Sequence, residues 1–214
     1  MSEVIISGIP GSPYVRKALL VCEEKGAPYR LAALAMGQHK TPEYLAKQPF
    51  GRIPVIEHDG FVLYEADAIM RYVDQVFPGP SLTPADPKAA ARMNQVMGIV
   101  DWYVMPSISS GISWNRLIAP RFGMPVNEDA VRDALPLART CVGALEAIIG
   151  DNPYMAGSAV SLADLMLIPH LDLLPASPEG AEIMRGSALN GWLERMRVRP
   201  SVQATDTDRL MAAA

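Results

Sequence analysis

A proline-rich break over residues 78–87, beginning Pro78-Gly79-Pro80-Ser81, separates two stretches whose hydrophobic patterns follow different periods. That change of period constrains the fold more than any other feature. Before the break, short apolar runs alternate with helical spacing. Residues 4–9 read as a strand closed by Pro10-Gly11, and residues 13–25 place Val15, Ala18, Leu19 and Cys22 on one helical face before stopping at Gly26. Residues 29–34 read as a second strand. Thr41-Pro42-Glu43 is a helix start, an N-cap followed by proline in the first turn. Asp59-Gly60 between the apolar runs Val55-Ile56-Glu57-His58 and Phe61-Val62-Leu63-Tyr64 predicts a tight hairpin. Residues 65–77 return to helical spacing through Ala68, Ile69, Tyr72, Val73 and Val76. The order βαβαββα implies a small mixed sheet with helices on both faces.

After the break no run reads as a strand. Helical patterns cover residues 88–105, 128–149, 162–174 and 190–198. Pro106 and Pro136 fall where helix interiors are expected, which predicts kinks or early ends. Residues 111–127, with Trp114, Arg116, Pro120, Phe122 and Pro125, read as an irregular connector. The chain therefore divides into a mixed domain over 1–77, a linker over 78–87 and an all-helical domain over 88–214.

A net charge of −4 argues against a nucleic-acid or anionic-membrane partner, so any basic site must be local. No window approaches the roughly 18 consecutive apolar residues of a membrane span. The start Met1-Ser2-Glu3-Val4 lacks the basic and apolar stretches of a secretory signal, so the expected compartment is the cytoplasm. Cys22 and Cys141 form neither a CxxC pair nor a metal spacing and read as buried free thiols. With only three scattered histidines, no metal site is expected. His170, among Leu167, Ile168, Pro169 and Leu171, reads as a satisfied core histidine.

Ser12-Pro13 sits between the first strand and helix. Ser12 can simply cap that helix; alternatively, unpaired N–H groups at the helix start favour an anion, and a hydroxyl there can donate to a bound thiolate. Ile53-Pro54 stands at a strand entrance, as an ordinary trans proline or as a cis bond that turns the Ile53 backbone toward an extended peptide. Glu65-Ala66-Asp67 opens the next helix, either as routine acidic enrichment or as a second anion-friendly terminus. His39-Lys40 is either solvated surface or the holder of a carboxylate. In the helical half, Ser161-Leu162-Ala163-Asp164 reads as a capping box, with Val160 and Leu165 as its staple. Tyr103, Met105, Trp114 and Phe122 are either core or the lining of an apolar pocket.

Together these segments resemble the glutathione transferases over nearly the whole chain. The spacing from Ser12 through Arg16 to Glu23-Glu24-Lys25-Gly26 is similar to the serine-type phi and tau classes, with theta and bacterial members close in type. The segments Gln38 to Leu45, Pro49 to Val55 and Tyr64 to Ile69 follow in the family's order. The resemblance implies a thioredoxin-like α/β N-terminal domain plus an all-α C-terminal domain, in a homodimer that works in detoxification. Glutathione is the implied co-substrate and a hydrophobic electrophile its partner, without a metal. By resemblance Ser12 activates the glutathione sulfur, and His39 and Lys40 meet the glycine carboxylate. Ile53 beside cis-Pro54 pairs with the cysteinyl backbone, and Glu65 with the following N–H groups takes the γ-glutamyl end. Tyr14 lines the pocket rather than acting as the hydroxyl, because tyrosine-type relatives carry theirs where this chain has Ser7-Gly8. Asp101 would reach the partner subunit's glutathione.

Two residues depart from the pattern. Ala66 stands where the family usually has serine, which removes one hydrogen bond to a carboxylate, on the order of 1–3 kcal/mol. Arg52 replaces a glutamine common in the phi class, and its charge offsets part of that loss. The expected reaction is attack of the glutathione thiolate on the electrophile. Isomerisation, dehalogenation and peroxide reduction begin from the same activated thiol, and a non-enzymatic binding module is the remaining alternative.

Overall fold

A computed structural model of the chain describes residues 2–212. The elements run β1 (Val4–Gly8), α1 (Pro13–Lys25), β2 (Tyr29–Ala33), a 3-10 turn (Gln38–Lys40), α2 (Pro42–Leu45), β3 (Val55–His58), β4 (Phe61–Tyr64) and α3 (Ala66–Val76). There follow α4 (Pro87–Ile99), a widened π-type helix (Val100–Ile118), a 3-10 turn (Ala119–Phe122), α5 (Glu128–Ile149), α6 (Leu162–Leu171) and another 3-10 turn (Leu174–Ala176). The chain ends in α7 (Pro178–Ile183), α8 (Leu189–Arg197), α9 (Pro200–Ala204) and α10 (Thr207–Ala212). Two compact units result. One combines the residues up to Leu82 with those from Val198 onward, and the other spans Thr83–Arg197.

In the first unit the strands lie in the order β2-β1-β3-β4. β1 pairs parallel with β2 and antiparallel with β3, and β3 pairs antiparallel with β4. The parallel pair needs a crossover, which α1 supplies. Proline in its first turn and Gly26 at φ 60° bound that helix where the sequence places them. The β3–β4 turn puts both Asp59 (φ 51°) and Gly60 (φ 78°) in the left-handed region, the conformation that suits a two-residue hairpin. Val4, Ile6, Val15, Leu19, Ile56, Ile69, Met70 and Val73 are buried to 1% exposure or less. The expected linker is fastened at its first half: Lys25 Nζ reaches Asp74 Oδ1 at 3.1 Å and the Pro80 carbonyl at 2.9 Å, and the Leu82 N–H donates to the same Asp74 oxygen.

Residues from Val198 onward, read above as part of the helical half, lie in the first unit because they clasp α1. Arg199 donates from Nε and Nη2 to the two Glu24 oxygens at 2.8 and 2.6 Å, and the Ser201 hydroxyl adds a third bond at 2.5 Å. Burial alone would push the Glu24 carboxyl up, but the Arg199 and Ser201 hydrogen bonds outweigh it and hold the group below its ordinary value near 4.5. A carboxyl depressed in the folded state contributes stability that is present above its unfolded value and lost as pH falls through the folded one. Glu24→Gln is therefore expected to cost about 1–2 kcal/mol at neutral pH. In urea unfolding across a pH series, the gap between variant and parent should narrow below about pH 4.5. A gap independent of pH would mean that the charge contributes nothing.

The second unit corrects the sequence reading at residues 111–127. Most of this stretch is helical: the π-type helix continues directly from α4 to Ile118 and passes into the 3-10 turn that ends at Phe122. The Ala119 N–H bonds the Trp114 carbonyl, five residues back, in the wider turn. Neither Pro106 nor Pro136 ends its helix, and α5 runs 22 residues through Pro136. Tertiary bonds supply what the local sequence lacks. Arg116 forks onto Glu128 (2.7 and 2.8 Å) and onto Glu179 (2.5 to 3.1 Å), joining the π-type helix to the first turns of α5 and α7. The Asn115 amide donates to the Ser110 and Gly111 carbonyls, while its oxygen accepts from the Asn127 N–H. At Gly111 the helices approach so closely that an added Cβ would lie 2.3 Å from the Ala134 Cβ. No helix among the described residues is long and apolar enough to cross a membrane.

Candidate active site

The register of the sheet gathers the expected site segments at one end. Ser7 pairs with Val55, Val55 with Tyr64, and Gly8 with Ala33. The ends of β1, β2 and β4 and the start of β3 therefore share an edge. From it emerge the turn that carries Ser12, the stretch leading to His39 and Lys40, the Ile53-Pro54 entrance and the Glu65-Ala66 helix start.

Ser12 stands at the N-cap position of α1 with extended backbone (φ −64°, ψ 129°), yet its side chain makes no capping hydrogen bond. The residue is half-buried and directly precedes the first turn of α1, the positive end of that helix. Lys40 extends to Gly51, donating to its carbonyl at 2.8 Å, and an added Cβ on Gly51 (φ 57°) would lie 2.8 Å from the Lys40 nitrogen. Glycine at 51 thus permits the ammonium to lie against the backbone that leads to Ile53. His39 is half-buried, and its Nδ1 is enclosed without a hydrogen-bond partner.

Arg52 is exposed and pinned through its backbone: its N–H donates to Gln48 Oε1 at 3.2 Å, and its carbonyl accepts from the Tyr44 hydroxyl at 2.7 Å. The Ile53-Pro54 bond is cis, and the β1–β3 ladder begins only at Val55, leaving Ile53 outside it. Glu65 holds φ 69° and ψ 116°, a conformation that costs a non-glycine residue about 1–3 kcal/mol and clusters at ligand clamps. Its carboxylate is exposed and caps nothing, Ala66 is buried, and Asp67 is tied to Arg71 at 3.0 Å.

The remaining candidates belong to both units. Tyr14 lies in the first turn of α1, with the buried Lys17 ammonium 3.9 Å from its ring centroid. In the second unit, Tyr103 and Phe122 are about half exposed, Trp114 is 36% exposed, and Asp101 is exposed at the start of the π-type helix. Met105 is half-buried, and its sulfur accepts from the Ser110 hydroxyl at 3.4 Å. A groove of about 360 Å³ opens in that unit between the π-type helix and α5, with Pro106, Ser110, Ala134 and Leu137 in its walls and none of these aromatic residues. His170 is a core histidine, its Nδ1 2.6 Å from the Ser109 hydroxyl. Both cysteines are free and buried; burial first, and then Glu23, push the Cys22 thiol up to about 12, and burial raises Cys141 as well. Both shifts disfavour the thiolate.

Residues 6–81 match the model of the glutathione S-transferase N-terminal domain, and residues 128–195 match that of the C-terminal domain. Glutathione S-transferase F14 of Arabidopsis thaliana is 32% identical over 192 residues, covering 86% of this chain and 75% of its own. The chain belongs to the glutathione S-transferase family. Among solved structures, glutathione S-transferase III in its apo form is 28% identical with a TM-score of 0.85, covering 95% of each chain. A theta-class glutathione S-transferase from the citrus canker pathogen Xanthomonas axonopodis pv. citri, solved with glutathione bound, is 25% identical with a TM-score of 0.81, covering 96% of this chain and 97% of its own.

As a glutathione S-transferase, the protein combines a thioredoxin-like α/β domain with a helical one. Several residues of this transferase's sheet-end edge escaped the sequence reading: Gly51, Gln48 and Tyr44, which fix the backbone beside Ile53. The signal was present in Phe50-Gly51, a glycine just before the Ile53-Pro54 entrance, but the surroundings that suit glycine there, a φ of 57°, the Lys40 side chain and the His39 carbonyl, are tertiary.

Proposed function

We propose that this transferase conjugates the glutathione thiolate to a hydrophobic electrophile, with Ser12 donating a hydrogen bond to the sulfur. The observation that carries the reading is the Ser12 hydroxyl, which stands at a helix start without serving as its cap. It shares one end of the sheet with a free backbone edge and a second helix start. A hydroxyl and the positive end of a helix favour the ionised thiol. Glutathione fits this edge as an extended anionic peptide. Lys40 spends one of its three protons on Gly51 and keeps two for the glycine carboxylate, with His39 beside it. The Ile53 backbone pairs with the cysteinyl residue, Arg52 adds positive charge at this edge, and Glu65 with the N–H groups of the α3 first turn takes the γ-glutamyl end. The glutathione-bound theta-class relative supports the choice of co-substrate. Tyr14, Tyr103, Met105, Trp114 and Phe122 would meet the electrophile. By family resemblance the protein acts as a cytoplasmic homodimer in detoxification, with Asp101 reaching the partner subunit's glutathione.

Ser12→Ala is expected to lower kcat/KM for conjugation about ten- to a hundredfold, the worth of one hydrogen bond to a charged group. The bound thiol should then titrate closer to its free value. An unchanged rate in this variant would remove Ser12 from the mechanism, and loss of glutathione binding without a change in thiol ionisation would reassign it to binding.

A further inference from the structure

The segment from Arg199 to Ala212 packs along α1 and reaches the turn that carries Ser12. Arg199 and Ser201 hold Glu24 in the last turns of α1, and eight residues nearer its start Arg16 Nη2 donates to the Val202 carbonyl at 3.3 Å. These two contacts lay α9 against α1, and the tail's direction follows from Thr207 and Met211, which lie against Gly11 just before the start of that helix. α10 then reaches Gly11. The turn Ile9-Pro10-Gly11-Ser12 is closed by the Ser12 N–H donating to the Ile9 carbonyl at 3.1 Å, with proline second and a glycine at φ 83° third, the type II pattern.

Where a Cβ on Gly11 would stand, Met211 Cγ lies 2.8 Å away, Met211 Sδ 3.0 Å and Thr207 Cγ2 3.7 Å. The methionine thus fills the space that any side chain at position 11 would need. Glycine is favoured there by its dihedral angle, and its lack of a side chain lets Met211 lie directly against the turn. Because no capping bond fixes Ser12, its hydroxyl is located by the turn beneath it, and that turn is packed from one side by Met211.

We infer that Met211 is a positioning residue for Ser12, holding the Ile9–Ser12 turn so that the hydroxyl meets the glutathione sulfur. The inference rests on the reading of Ser12 given above. Met211 acts through shape and contact, so leucine, which conserves volume, replaces it and alanine does not. A misplacement of an ångström or less at a donor lowers rate far more than it lowers binding of a peptide held at several other points.

The test uses full-length Met211→Ala, Met211→Leu and Ser12→Ala. It reads the ultraviolet titration of the bound glutathione thiolate, the calorimetric Kd of glutathione, and kcat with 1-chloro-2,4-dinitrobenzene. Met211→Ala should raise the bound thiol's pKa and lower kcat about three- to tenfold, leaving the glutathione Kd within about twofold. Met211→Leu should match the parent. A parental titration and kcat in Met211→Ala overturn the inference, as does a weakened Kd with the titration unmoved. An equal loss in Met211→Leu overturns it too. If Ser12→Ala shifts the titration and Met211→Ala does not, only the positioning role fails; if Ser12→Ala shifts nothing, the reading of Ser12 fails and takes this inference with it.

Discussion

Asp164→Ala is expected to destabilise the helical unit by about 3–5 kcal/mol. The carboxylate is fully buried and accepts four hydrogen bonds. Oδ1 takes the Met155 N–H at 2.9 Å and the Trp192 indole N–H at 2.8 Å, while Oδ2 takes the Ser161 N–H and the Ser161 hydroxyl, both at 2.9 Å. Burial pushes this carboxyl above the usual range, and the four donors oppose that push. Alanine would leave the backbone and indole donors enclosed without acceptors, at about 1–3 kcal/mol each before relaxation. Asp164→Asn separates charge from geometry, because its amide keeps one accepting oxygen and turns a donor toward the other pair; a loss of about 2 kcal/mol is expected. All three tryptophans, Trp102, Trp114 and Trp192, lie in Thr83–Arg197, so urea unfolding followed by tryptophan fluorescence reads this unit directly. An alanine variant within about 1 kcal/mol of the parent would mean that the four bonds are replaceable.

Asp164 was legible because the capping box is a local rule: Ser161 and Asp164 are three residues apart and answer each other within one turn. The same locality explains α1, bounded by Pro13 and Gly26, and the hairpin set by Asp59-Gly60. The π-type helix was illegible because its order is borrowed. Pro106, Ser109-Ser110 and Gly111 argue against a helix, and the bonds that overrule them join Arg116 to Glu128 and Glu179, the latter 63 residues away. The return of the tail to α1 rests on Arg199 and Glu24, 175 residues apart, a pairing that no period encodes. At the site, sequence placed the sheet-end segments but not the contacts that tune them. That the Ser12 hydroxyl leaves its cap position unused, and that Met211 and Lys40 lie against Gly11 and Gly51, are facts of packing.

Asp74→Ala is expected to cost the first unit about 3–5 kcal/mol, the penalty for stranding one member of a buried ion pair. The Lys25 and Asp74 side chains are 3% and 4% exposed, and the ammonium donates to the Asp74 carboxylate and to the Pro80 carbonyl. Without Asp74 the ammonium keeps its desolvation and loses its counter-charge, and the Leu82 N–H loses its acceptor as well. The pair itself contributes little beyond well-packed neutral groups, because each charge left water to form it. Lys25→Met with Asp74→Asn should therefore recover most of the loss: methionine fills the stem's volume, and the asparagine oxygen still accepts from Leu82. Amide exchange of α1 and α3 in the single and double variants measures both effects in the unit concerned. A double variant as unstable as Asp74→Ala would show that the attraction between the charges, and not the stranded ammonium, fastens the segment ending at Leu82 to α1 and α3.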